Sequence, residues 1–312
     1  MLDDNNLRRM GLWNLVHAHC TIGLILGCAL FGTAFAQQSA QQPAGQPAAQ
    51  PVADDTAAIK ASLYFHAPFD GGTDAKVARH DRSLYTAPNL KRESAEPGQH
   101  REDVAIIAGE GQHGDALRFL GKNKQVLFYP GANMDFRETD WQGTVSLWLR
   151  LTPDEDLKEG YSDPLQITDK AWNDASFFID FDIDSPRTFR LGIFSEYKFW
   201  NPNDVKWEDW PVADRPMIHV PRPPLTRDRW THVAWTFQGI NAAEGIPATC
   251  RFYLDGKLQG KFERPAQFRW NLERTAIMLG LDYVGDLDEL MLFDRALTEG
   301  EVARLTTFFN ED

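Results

Sequence analysis

Gly285-Asp286-Leu287-Asp288-Glu289-Leu290-Met291-Leu292-Phe293-Asp294-Arg295-Ala296-Leu297-Thr298, followed by Glu301 and Val302, is the run whose reading decides the fold. Its apolar residues from Leu287 to Phe293 fall on both alternating faces, the pattern of a strand covered on both sides. Thr298 and Glu301 are spaced for a capping box, in which hydroxyl and carboxylate satisfy amides left bare at a helix start. The run predicts a strand, a tight corner and a short helix with Ala303, Leu305 and Phe309 as its apolar side. By the period of two, Asp288 shares a face with Leu290 and Leu292, so its carboxylate is expected against packed surface. A buried carboxylate needs partners, and backbone amides, Arg295 or a cation are the choices.

Working outward, the 312 residues are 43% hydrophobic and 25% charged, enough for one sizeable core. Ten Trp and twenty Phe beside eighteen Pro favour strands and turns over a helical bundle. The net charge of −13 argues against nucleic acid, whose phosphates need a basic footprint, and is compatible with cations and neutral sugars.

Residues 1–36 read as an export signal: Arg8 and Arg9, an apolar stretch from Thr21 to Phe35, and Ala34-Phe35-Ala36 as a cleavage pattern before Gln37. The protein is therefore expected outside the cytoplasm, as a secreted, periplasmic or surface protein. The alternatives are an uncleaved anchor, although the apolar stretch is shorter than the ~20 residues of a spanning helix, and lipidation at Cys28. Membrane contact is expected only through this segment. Cys20 and Cys28 leave with a cleaved signal, so the mature chain keeps Cys250 alone, read as a small core residue. Residues 37–57, rich in Gln, Ala and Pro, are a linker, and 58–312 form the folded domain.

Within that domain the clearest strand is Thr144 to Leu151, with Val145, Leu147, Leu149 and Leu151 facing one way. Strands are also expected at Leu63 to Phe69, Val104 to Ile107, Gly114 to Phe119, Gln125 to Tyr129, Ser176 to Ile183, Thr188 to Phe194, Thr231 to Phe237 and Ala276 to Leu281. Asp255-Gly256 joins Arg251 to Leu254 and Lys257 to Phe262 as a hairpin. Stretches 73–113 and 195–229 are polar or irregular. A dozen short strands with no long helix predict an all-β, antiparallel two-sheet sandwich.

The closing run resembles the end of laminin-G-like jelly-roll domains, members of the concanavalin A-like lectin/glucanase superfamily: a Gly-x-Leu-Asp-Glu-Leu strand, then Arg-Ala-Leu-Thr and x-x-Glu-Val. Phe69-Asp70-Gly71, Gly114-Asp115-Ala116-Leu117-Arg118-Phe119, Thr144-Val145-Ser146-Leu147-Trp148 and Trp230-x-His232-Val233-Ala234 with Tyr253-Leu254-Asp255-Gly256 are similar to its other landmarks. The resemblance covers about 61–308 and implies a jelly-roll sandwich with a short C-terminal helix. It also implies a structural Ca²⁺ near a rim in relatives, for which Asp70 and Asp288 are the candidate ligands here. The alternative is a hydrogen-bonded turn at Asp70 and an Asp288–Arg295 pair.

Three features carry candidate chemistry. Asp180, Asp182 and Asp184 alternate along one predicted strand with Phe181 and Ile183 opposite, and read either as a carboxylate array or as a solvated face. Tyr197, Trp200, Trp207 and Trp210 crowd one loop, where aromatics serve as platforms for sugar rings or bury one another. His232, on a strand between apolar neighbours, is read as structural. No familiar catalytic motif occurs in the sequence. The resemblance implies an exported, non-catalytic recognition module whose partner is a glycan or an extracellular protein. Tyr197, Trp200, Trp207, Trp210, Asp180 and Asp182 are its expected contacts. The alternatives are a glycoside hydrolase or lyase using Asp180, Asp182 and Asp184, and a purely structural adhesion or assembly domain.

Overall fold

The structure, a computed structural model, describes residues 56–308. The expected signal 1–36, Cys28, linker residues 37–55 and Phe309 lie outside the described residues. Among the described residues no helix is long and apolar enough to cross a membrane.

Helix α1 (Thr56–Ser62) leads into β1 (Leu63–Ala67). The polar stretch 73–113 carries four short strands, β2 (Val77–Ala78), β3 (Tyr85–Ala87), β4 (Glu96–Pro97) and β5 (Val104–Ile107). Then come β6 (Ala116–Phe119), β7 (Val126–Pro130) and the long β8 (Trp141–Arg150). One helical turn, α2 (Pro153–Asp156), precedes β9 (Ser162–Thr168), β10 (Ser176–Phe181) and β11 (Phe189–Phe194). The loop 195–229 is ordered into α3 (Tyr197–Trp200), two short 3-10 turns and β12 (Met217–Val220). Strands β13 (Thr231–Ile240), β14 (Ala248–Leu254), β15 (Lys257–Arg264), β16 (Ala276–Leu281) and β17 (Gly285–Phe293) follow, then α4 (Glu299–Leu305).

These strands form two antiparallel sheets, the jelly-roll sandwich expected. The first runs β15-β14-β13-β8-β17-β1-β2, with β6 on β17 and β5 on β6; the second runs β12-β11-β10-β9-β16-β7-β3-β4. The period of two in the sequence decides what lies between them. Val145, Leu147 and Leu149 of β8 meet Phe177 and Ile179 of β10 and Leu165 and Ile167 of β9 in one apolar cluster. Trp235, fully buried on β13, packs against the Phe177 ring at 6.4 Å. Asp255 and Gly256 have φ of +47° and +71°, both in the left-handed region that a two-residue hairpin turn of this hand requires. His232 is buried, its Nε2 2.8 Å from Ser146 Oγ. Burial holds it neutral, with a pKa of about 4. Cys250 is buried and free.

The outer face of the first sheet is covered by helices. Ala234, Tyr253, Met291 and Phe293 cluster with Ile59 of α1 and with Val302, Leu305 and Phe308 at α4. The helix start is fixed by the expected capping box: Glu301 N–H donates to Thr298 Oγ1 and Thr298 N–H to Glu301 Oε2. The apolar side differs in one position from expectation, since Val302 is buried and Ala303 exposed.

Asp288 corrects the parity argument. Leu287, Leu290 and Leu292 all face the core, which strict alternation forbids. A bulge between Asp288 and Met291, with Glu289 at φ +52°, inserts the extra residue that flips the parity. Asp288 therefore faces the opposite way from Leu290 and is covered by the loop before β6.

Candidate functional site

Helices α1 and α4 cover the first sheet, and the candidate site is on the outer face of the second, where Trp200 of α3 packs on Phe194 of β11 at 5.1 Å. Outward positions of successive strands line up in a row: Met278 of β16 opposite Gln166 of β9, Gln166 opposite Phe178 of β10, Phe178 opposite Gly192 of β11, Gly192 opposite Met217 of β12. A Cβ on Gly192 would stand 2.3 Å from the Phe178 ring, so only glycine lets that ring lie flat on the floor. One step along, Asp163 of β9 lies beside Leu281, Asp180 of β10 is opposite Arg190 of β11, and Arg190 is opposite His219. Pro164 falls where the β9–β10 register shifts, so its missing N–H removes no ladder bond at a regular pair.

A groove of about 310 Å³ runs over these residues. Its walls are aromatic: Tyr161 is 47% exposed and Trp172 39%, with Trp207 half-buried edge-on to Trp172 at 5.2 Å. Its floor is polar. Arg190 Nε donates to Asp180 Oδ1 at 2.8 Å and Nη2 to Oδ2, while Nη1 lies 3.2 Å from Asp182 Oδ2. The guanidinium also stacks on the Tyr161 ring, 5.1 Å from its centre. Gln166 is only 7% exposed and lines the groove, yet its amide makes no hydrogen bond to any described group. The Asp163 carboxyl also has no hydrogen-bond partner; burial, then the charge of Asp180, pushes its pKa well above the usual carboxylate range. Gln166 is buried and Asp163 half-buried, and both turn polar atoms without a partner among the described residues toward the cleft, where a bound molecule could meet them.

The expected contact residues divide among three places. Trp207 and Asp180 line this groove, and Asp182 steadies Arg190 from the strand end. Trp200 and Trp210, 5.5 Å apart, line a separate depression of about 220 Å³ with Phe199 and Arg264. Tyr197 packs edge-on to Trp200 at 5.7 Å and its hydroxyl accepts from Asn201. The loop thus partly buries its own aromatics while presenting Trp207. The strand carrying Asp180 stops at Phe181, so Ile183 and Asp184 are exposed in the turn and the three aspartates share no face.

Asp70 and Asp288 are held by donors of the protein itself. Asp70 Oδ1 accepts from Asp115 N–H at 2.9 Å and Oδ2 from Lys76 Nζ at 2.7 Å. Asp288 Oδ2 accepts from the amides of Gln112 and His113, and Oδ1 from that of Glu289. With oxygens aimed at N–H groups, the two aspartates do not fit a shared Ca²⁺, which takes six to eight oxygen ligands. Arg295 does not reach Asp288; it pairs with both oxygens of Glu301 at 2.5 and 2.8 Å. The amide branch of the expected alternatives is the one observed.

A family model of the concanavalin A-like lectin/glucanases superfamily matches residues 120–303. No curated protein matches the chain. Among solved structures, the receptor binding domain of botulinum neurotoxin C/D mosaic serotype is similar with a TM-score of 0.52 and 9% identity over 80% of this chain and 51% of that one. The binding domain of botulinum neurotoxin DC in complex with SialylT has a TM-score of 0.50 and 10% identity over 80% and 52%. Domain 4 of AbnA, a GH43 extracellular arabinanase from Geobacillus stearothermophilus, in complex with arabinotriose, has a TM-score of 0.46 and 17% identity over 78% and 98%. This chain spans about half the length of the two toxin domains. At such identities the likeness is one of fold.

Proposed function

The chain belongs to the concanavalin A-like lectin/glucanases superfamily, and from that premise we propose that it is an exported recognition protein that binds carbohydrate in the groove on the outer face of its second sheet. The observation that carries the reading is the pairing of unsatisfied polar groups with exposed rings. Gln166 and Asp163 offer hydrogen bonds from the floor, and Tyr161, Trp172 and Trp207 offer flat apolar surface beside them. A sugar ring has this double character: hydroxyls around its edge and apolar C–H faces. The Asp180–Arg190 pair keeps the floor rigid, and the Phe178 ring over Gly192 keeps it flat. Two toxin binding domains share the fold, one of them in complex with SialylT, which supports a recognition role over a purely structural one.

The test is a glycan array followed by calorimetry on the full chain, with Trp207→Ala and Gln166→Ala alongside. Each variant should bind at least about tenfold more weakly, the worth of one good hydrogen bond or stacking contact, and melt as the parent does. Unchanged binding in both variants places the ligand elsewhere. Release of reducing ends from a bound oligosaccharide, abolished by Asp180→Asn, makes the protein a hydrolase.

A further inference from the structure

Three carboxyl groups lie at one end of the groove, those of Asp163, Asp180 and Asp282. Arg190 is the one cation among the lining residues, and its N–H groups are committed to Asp180 and Asp182. The nearby arginines at the rim are engaged in part, Arg215 keeping a buried Nε without a partner. Arg92 donates to the carbonyls of Leu90 and Arg274, and Arg215 donates to the carbonyl of Trp207 while stacking on its ring at 4.2 Å. His219 lies next to Arg190 on β12, and burial lowers its pKa, so it adds no positive charge near neutral pH. Asp163 therefore sits among other acids, with no donor pointed at its oxygens.

We propose that the groove selects uncharged sugars, and that Asp163 meets them as an undissociated carboxylic acid donating a hydrogen bond to a sugar oxygen. This rests on the glycan-binding reading and adds the ligand class and a pH dependence to it. Asp163 has Asp180 and Asp282 beside it and no N–H donor on its oxygens, a setting that favours the neutral acid over the carboxylate. As a neutral acid it has one O–H to give, and a hydroxyl or ring oxygen of a sugar accepts it. Beside it, the Gln166 amide supplies a donor and an acceptor without charge. A sugar bearing its own carboxylate would bring a further negative charge toward Asp180 and Asp282 and find no free cation to receive it.

Binding and protonation are then linked. A sugar laid across the groove excludes water from Asp163, which disfavours the ionised form further. Affinity is accordingly full while Asp163 carries its proton and falls as rising pH removes it.

The test titrates the full chain by calorimetry at about pH 6 and about pH 9, either side of the neutral range. The neutral probes are arabinotriose and the tetrasaccharides of laminarin, cellulose and xylan; the charged probes are trigalacturonic acid and sialyllactose. At least one neutral probe should bind, and its affinity should fall about tenfold or more at the higher pH, the loss of one hydrogen bond to a charged-capable group. Asp163→Asn keeps the size and a donor without an ionisable proton, so it should bind at both pH values with equal affinity. The charged probes should bind at least about tenfold more weakly than the neutral one. A charged probe that binds more tightly, a parent profile that is flat with pH, or an Asp163→Asn variant that is folded but silent at the lower pH overturns the proposal alone. If no probe of either kind binds, the glycan reading itself falls and takes the proposal with it.

Discussion

Arg190 and Asp180 stand directly opposite one another on β11 and β10, and the guanidinium closes on both carboxylate oxygens in a site where each residue is less than 5% exposed. Removing one partner leaves the other as a buried, uncompensated charge. Arg190→Met should destabilise the domain by about 3–5 kcal/mol, whereas Arg190→Met combined with Asp180→Leu should recover most of that loss. Melting followed by near-UV circular dichroism decides the matter. A harmless single variant would mean that water reaches this floor freely.

The helix start at Thr298 ties acid stability to one carboxylate. The Arg295 hydrogen bonds lower the pKa of Glu301 from 4.5 to about 2. A depressed folded-state value contributes stability that is complete above about pH 4.5 and is lost as pH falls toward 2. The contribution is up to about 3 kcal/mol, less some screening on the Arg295 side, which is 30% exposed. Glu301→Gln should melt lower at neutral pH and show a flatter acid limb than the parent. Parallel acid limbs would separate Glu301 from this effect.

Trp235 is fully enclosed between the sheets. Its truncation to alanine should cost about 3–5 kcal/mol, a large part of a domain's stability. Urea titration of Trp235→Ala should show a midpoint shifted far down or no folded baseline. A midpoint within error of the parent would contradict the packing.

Asp288 gives the calcium question a direct test. Its oxygens are engaged by three backbone amides, so neither Ca²⁺ nor EDTA should move the melting temperature, because a ligand stabilises only by binding the native state. Asp288→Ala should lose about 1–3 kcal/mol by stranding buried N–H groups. A melting temperature that climbs with Ca²⁺ and ceases to do so in Asp288→Ala would establish the metal.

The two sheets were legible because their central strands obey alternation. Val145, Leu147 and Leu149 could be assigned to the core from the chain alone, and so could the capping box at Thr298 and Glu301. The bulge at Glu289 was not, since an inserted residue leaves no trace in composition while reversing every side chain beyond it. Strand β9 does not stand out in the sequence, because Pro164 interrupts a pattern in which Leu165 and Ile167 alternate with Gln166 and Thr168. The same interruption hides Asp163 and Gln166, the two groups on which the groove turns. Trp207 and Asp180 were visible as residue types, yet their meeting across the sheet depends on register between strands far apart in sequence. Arg190 had no motif to announce it.

Thr56 and Arg304 are joined by a 3.2 Å hydrogen bond beneath the helices of the first sheet, on the side of the sandwich away from the groove. Helices α1 and α4 therefore meet at one spot on the back of the domain. By the same geometry, a surface holding the protein by this seam would present the face that carries the groove outward, toward whatever approaches.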